Sequence, residues 1–156
     1  MTTKHNDITK KILDYLKEAK VLQLATVGVE GKPWISNVHF VNDKEGNIYW
    51  LSTEVRRHSA EIAANHHVAV SVVVKSDLPV IGIQAEGTAE LIDGVTMFKP
   101  IIVAYVKKHG TGKQFYERAM KGINSHKLYK FTPSMYSLFD EVSFPKTAPQ
   151  KWMINN

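Results

Sequence analysis

A chain of 156 residues is enough for one domain, which at this size buries roughly 68–70% of its unfolded surface. It contains no cysteine, which excludes a disulfide framework, a thiol nucleophile and every cysteine-ligated zinc or iron–sulfur centre. A net charge of +5 suits nucleic acid, an anionic membrane surface or a phosphorylated small molecule, and equally an evenly solvated surface.

No apolar run approaches the ~20 residues of a membrane span. The opening MTTKHNDITKK lacks the apolar stretch of a secretory signal, so a cytoplasmic location is expected. In Asp7–Ala19, Ile8, Ile12, Leu16 and Ala19 recur at helical spacing behind a cap at Asn6 or Asp7, predicting an amphipathic helix. Val21–Val27, Trp34–Val41 and Ile48–Leu51 are short, β-branched and aromatic, and Gly- and Asp-rich turns separate them. They read as antiparallel strands.

Val55–Asn65 then reads as a short helix with Val55, Ser59, Ile62 and Ala63 on one face. Val68–Val74 is an apolar strand. In Val80–Ile92, Ile81, Ile83, Ala85, Gly87, Ala89 and Leu91 alternate, so one face is buried, and Gly82 and Gly87 mark a bend or a close approach. Pro100 opens a helix running to Lys108 and stopped by Gly110; Thr111-Gly-Lys-Gln114 is a capping box for a second helix ending near Gly122. Leu128–Phe131 and Met135–Phe139 are strands separated at Pro133. Six or so antiparallel strands are too many to stay flat. The expected fold is therefore mainly β with helices (α+β): a single domain over residues 1–156, its sheet closing as an antiparallel barrel, with an N-terminal helix and a helical insert near residues 98–122.

The stretch Trp50-Leu-Ser-Thr-Glu-Val-Arg-Arg-His-Ser-Ala-Glu-Ile62 carries the chemistry. A strand ends in two hydroxyl residues and a helix starts with Arg56, Arg57 and His58 in its first turn. Cations at a helix N-terminus cost about 0.3–1 kcal/mol each unless an anion lies there, which makes Ser52, Thr53, Arg57 and His58 a candidate phosphate site; alternatively the cations point into water, where that cost is screened. Gln84, on the polar face of its strand, offers a donor and an acceptor to a heterocyclic ring edge. Ser36, Asn37 and His39 interrupt an apolar strand and line either a groove or the outer face. His66 and His67 are adjacent and diverge, so no metal site is expected; His109 and His126 read as isolated surface residues. No nucleophile elbow, P-loop or dinucleotide fingerprint is present.

Together these features resemble the pyridoxamine 5′-phosphate oxidase-like family of FMN-binding split β-barrels, from about Ile8 to Trp152. The resemblance rests on the strand pair Val21-Leu-Gln-Leu-Ala-Thr and Trp34-Ile-Ser-Asn-Val-His-Phe, on Leu51-Ser-Thr-x-x-x-Arg57-His58 followed by Ile62-Ala-Ala-Asn65, and on Gln84-Ala-Glu-Gly87-Thr-Ala-Glu90. It implies phosphate contacts from Ser52, Thr53, Arg57 and His58, the last replacing a commoner lysine. It also implies a flavin ring lined by Ser36, Asn37, Val38 and His39, largely through backbone groups, with Gln84 at its polar edge. The site would lie between two copies of a homodimer, with Lys151 and Trp152 reaching across from the partner. The family's C-terminal arginine–histidine substrate motif is replaced by Gln150-Lys-Trp-Met-Ile-Asn-Asn156, so vitamin B6 oxidation is not expected.

The functional expectation is an FMN-dependent oxidoreductase taking an electron donor and a small-molecule substrate, with the flavin carrying the chemistry and no protein residue named as catalytic. The alternatives are a non-catalytic flavin or haem binder or sensor, and a nucleic-acid-binding barrel stacking bases on Trp34 and Trp50.

Overall fold

The computed structural model describes residues 2–93, 98–121, 126–147 and 149–154. Helix α1 (Thr2–Glu18) lays Ile8, Ile12 and Leu16 into the core. It starts well before Asp7, so Asn6 and Asp7 lie inside it and do not cap it: no helix breaker precedes them. Ile12 and Leu16 are fully buried, each stabilising the helix–sheet contact by about 1.5–3 kcal/mol.

The eight strands among the described residues form one antiparallel sheet in the order β2-β1-β5-β6-β7-β4-β3, with β8 added alongside β7. Strands β1 (Val21–Val27) and β2 (Pro33–His39) form a hairpin. The expected strand Trp34–Val41 does not continue to Val41. The backbone leaves β1 at Phe40 and resumes as β3 (Val41–Asn42), paired with β4 (Ile48–Thr53). That break carries the chain from one end of the sheet to the other. Among the described residues no ladder joins β2 to β3, so the sheet curls into a half-barrel and stays split.

Helix α2 (Arg57–Ala64) follows β4, two residues later than expected. Val55 is solvent-exposed and not on the packed face, which is formed by His58, Ser59 and Ile62. Strands β5 (His67–Lys75) and β6 (Ile81–Leu91) lead to α3 (Lys99–His109), α4 (Gly112–Met120), β7 (His126–Asp140) and β8 (Gln150–Met153). Along β6, Ile81, Ile83, Ala85 and Ala89 are buried as the alternation requires, whereas Leu91 is exposed where the strand leaves the core. Gly110 stops α3 in the left-handed conformation (φ +66°). The capping box is not made. Gly112 (φ +62°) turns the chain directly after Thr111, whose hydroxyl is buried without a hydrogen-bond partner among the described residues. The helix end near Gly122 lies outside the described residues.

Pro133 does not divide β7, which runs unbroken for 15 residues. The register shifts there instead, between Glu86 and Gly87 on the partner strand. Gly87 makes this possible, because a Cβ on it would lie 2.2 Å from the Thr132 carbonyl oxygen.

The concave face of the sheet and α1 enclose the main core around Trp50, Phe131, Tyr136 and Phe40. A second core, with Tyr49, Ile102, Tyr105 and Leu128, packs α3 and α4 against the back of β3, β4 and the start of β7. Among the described residues no helix covers the rest of the convex face.

Candidate functional site

Strand periodicity divides the candidate residues. Side chains of consecutive strand residues point to opposite faces, so Ser36 and Val38 turn inward while Asn37 and His39 turn outward; Ser52 and Thr53 separate in the same way. Two polar groupings result, one at the start of α2 and one across the convex face.

The first centres on His58, which is buried. Its Nε2 lies 2.8 Å from the Ser52 hydroxyl and its Nδ1 3.2 Å from the Ser36 hydroxyl, so the ring bridges β4 to β2. The Trp34 indole donates to Ser36 (3.1 Å), and the Ser59 hydroxyl donates to Ser52 (3.4 Å). Burial, reinforced by the Arg56 cation and only partly opposed by Glu61, pushes the His58 imidazole below its ordinary value. A neutral ring can donate from one nitrogen and accept at the other, which is what two flanking hydroxyls require. Thr53 points to the other side of the sheet, and its buried hydroxyl has no partner among the described residues.

Arg57 stands beside this chain of hydroxyls. Its guanidinium lies 4.2 Å from the centre of the Trp34 ring, and its Nε donates to Glu61 Oε1 at 2.8 Å. Glu61 is fixed in turn by the Thr26 hydroxyl, which donates to Oε2 at 2.5 Å; that bond first, and Arg57 next, hold its carboxyl below the usual carboxylate range. Stack and ion pair thus orient the guanidinium and engage Nε. The α2 N-terminus has Arg56 as its cap residue, with no side-chain cap hydrogen bond and no acidic residue in its first turn. An uncapped helix start beside an oriented guanidinium can accept an oxyanion.

The second grouping is a row that local sequence does not reveal. Through direct cross-strand pairing, Asn37, Gln23, Ser71, Gln84, Ser137 and Lys151 stand side by side on six strands, β2, β1, β5, β6, β7 and β8. Gln23 donates to Asn37 Oδ1 at 3.3 Å. Apolar residues flank the row: Val21, Val73 and Phe139 on one side, Ile35 and Met153 on the other, with Ile35 65% and Val73 59% exposed. Gln84 and Asn37 therefore share one face with Lys151.

Trp152 does not join them. It lies on the inner side of β8, stacked on Tyr136 with ring centres 5.4 Å apart and lying against Gly46. His39 sits at the row's corner, edge-on to His109. His109 is not the free surface residue expected, because α3 presses it against the β2–β3 break. Its Nε2 donates to the Phe40 carbonyl (2.9 Å) and its ring packs on Tyr105. Of the two tryptophans considered for base stacking, Trp50 is fully buried and Trp34 carries Arg57. His66 and His67 diverge: His66 bonds the Ala89 carbonyl, and His67 stands exposed on β5. No cluster of three or more metal-ligating side chains occurs among the described residues. None of the described helices is long and apolar enough to cross a membrane.

Residue identities explain which of these features sequence reasoning missed. Glu61 falls four residues after Arg57, a spacing at which helix ion pairs form, so that contact was readable. Gln23, Ser71 and Ser137 have no such signal, since only the strand order makes them neighbours of Gln84.

The family described as pyridoxamine 5′-phosphate oxidase matches residues 8–138. The haem oxygenase HutZ of Vibrio cholerae is 33% identical over 63 residues, which is 40% of this chain and 35% of that protein; the chain thus aligns with about a third of that curated relative's length. Among solved structures, a conserved hypothetical protein of Mycobacterium tuberculosis superposes with a TM-score of 0.75 at 13% identity, covering 94% of this chain and 91% of that one. HutZ, described there as a haem storage protein, gives 0.64 at 21% identity, covering 84% and 92%. A haem-binding protein of Mycobacterium smegmatis gives 0.69 at 15% identity, covering 90% of this chain and 57% of that one. At these identities the structural likeness speaks for the fold.

Proposed function

Because the chain belongs to the pyridoxamine 5′-phosphate oxidase family over residues 8–138, we propose that it is an FMN-binding homodimer in which each flavin lies between two copies. The observation that carries this reading is the start of α2, where an uncapped helix N-terminus meets an Arg57 guanidinium already oriented by Trp34 and Glu61. A phosphate there would meet free backbone N–H groups and the outer edge of the guanidinium. Ser52 and His58 support the site from below by fixing β4 against β2, whereas Thr53, on the other side of the sheet, is not carried forward as a phosphate contact.

The flavin ring would lie along the convex face, where Asn37 and Gln84 offer amides at its polar edge and the backbone of Ser36–His39 borders it. The second copy would cover the exposed apolar flanks of the polar row. Of the two C-terminal candidates, Lys151 stands on that face and is the one carried forward; Trp152 is engaged within its own chain. FMN would supply electron transfer to a small molecule from a reduced donor, in the cytoplasm, and the protein would supply anchorage and orientation.

A second reading is favoured by the haem-related relatives: the same interface would hold a planar tetrapyrrole instead. One experiment separates them. The cofactor released on denaturing the purified protein is identified by its absorption spectrum and mass, and wild-type protein is titrated with FMN and with haem. The flavin reading expects FMN, and expects Arg57→Ala to weaken its retention by about tenfold or more while the circular dichroism stays unchanged. Unaltered FMN content in that variant removes the phosphate from α2; stoichiometric haem with no flavin replaces the first reading by the second. Bleaching of bound flavin by reduced nicotinamide then tells an oxidoreductase from a non-catalytic binder.

A further inference from the structure

On the side of the molecule formed by α1, α3 and the β3–β4 turn lies a groove of about 620 Å³, within the ordinary range for small-molecule sites. Leu13, Val41 and Ala104 give it an apolar floor, and four lysines line it: Lys17, Lys44, Lys107 and Lys108. Its two carboxylates are already engaged. Asp14 takes a 2.7 Å bond from Lys10. Asp43 accepts from the backbone N–H of Glu45 and Asn47, the Asn47 amide and the Tyr49 hydroxyl.

Lys108 is the least ordinary member. Its stem is partly buried, its Nζ donates to the Leu16 carbonyl at 2.9 Å, and its ammonium lies 4.2 Å from the centre of the Phe40 ring. No carboxylate among the described residues pairs with it, and burial alone lowers it to about 8. Helix dipoles explain basic residues at the ends of α1 and α3. They do not explain a half-buried lysine without a counter-ion among the described residues, set beside an apolar floor and three further lysines, of which Lys44 pairs with Glu45 at 3.5 Å.

We propose that this groove binds a small amphipathic organic anion, its apolar body on Leu13, Val41 and Ala104 and its carboxylate or sulfonate among Lys44, Lys107 and Lys108. Charge complementarity selects an anion, and the apolar floor selects a ligand with a hydrocarbon or aryl body over inorganic phosphate. The groove shares no residue with the α2 start or the polar row of the convex face, so the assignment stands apart from the FMN reading.

The test uses the full chain as purified, titrated with anilinonaphthalene sulfonate and followed by fluorescence, with decanoate and decanol as competitors. Saturable binding at one site per chain is expected, displaced by decanoate and far less by decanol. Ala104→Trp, which fills the floor from an exposed helix position, and the double variant Lys44→Gln/Lys107→Gln should each weaken binding by about tenfold or more, with unchanged circular dichroism and cofactor content. Equal competition by decanol, undiminished binding in Ala104→Trp, or no saturable binding overturns the proposal.

Discussion

The His58 imidazole lies 2.8 Å from the Ser52 hydroxyl while its other nitrogen faces Ser36, so one ring ties β4, the strand before α2, to β2 at the far end of the sheet order. Burial, together with Arg56, lowers the folded-state pKa of His58, and the unfolded chain binds the proton more readily. The contribution of the neutral ring is therefore complete above the unfolded value of about 6.5 and is lost as the pH falls through the lower folded value. Urea unfolding midpoints of the wild type should fall between about pH 7.5 and 5 more steeply than those of His58→Gln. Parallel pH profiles for the two proteins would remove His58 from this role.

Gly87 should be among the least replaceable residues of the sheet. An alanine methyl would sit 2.2 Å from the Thr132 carbonyl oxygen and 2.8 Å from Pro133 Cα, both backbone atoms of the bulged strand. Relief requires moving β6 away from β7, so Gly87→Ala should cost roughly 1–3 kcal/mol or more in a denaturant titration. Gly82→Ala, whose Cβ would meet nothing closer than 3.5 Å, is the matched control and should cost much less.

The Asp43 carboxylate is a hub of the β3–β4 turn, accepting two backbone N–H groups, the Asn47 amide and the Tyr49 hydroxyl. Asp43→Ala leaves a largely buried phenol and two N–H groups without their acceptor. A loss of about 2–3 kcal/mol is expected from chemical unfolding, and Asp43→Asn should recover part of it.

The exposed apolar flanks of the polar row bear on assembly. If a second copy covers them, Val73→Glu should shift sedimentation from dimer to monomer and lower flavin retention together, leaving secondary structure intact. A dimer that survives both Val73→Glu and Ile35→Glu uses a different face.

Much of the fold was legible because periodicity and punctuation are local. The apolar spacing of Ile8, Ile12 and Leu16, the alternation along Ile81–Ala89 and the Gly110 stop each act within a few residues, and each reads correctly. The strand break at Phe40 and the unbroken run through Pro133 were not legible. Both depend on a partner strand far away in sequence: β4 draws Val41 off β1, and Gly87 makes room for Pro133. The candidate site shows the same division. Arg57, His58 and Ser52 are neighbours in sequence and meet at α2, whereas Thr53 and Trp152 turn to other faces through the twofold repeat of a strand. Gln84 finds its row only through the order β2-β1-β5-β6-β7-β8.

Trp152 has a role at a distance from its own position. Gly46, at φ +85°, leaves room for the indole, whose nearest atom would come within 2.9 Å of any Cβ there, and Tyr136 holds the ring from below. That keyed fit sets the phase of β8. A slip by one residue would drive Met153 onto Tyr136 and turn the indole out beside Ser137. An aromatic plug on one side of the molecule thereby decides which residue the chain presents at the end of the polar row on the other.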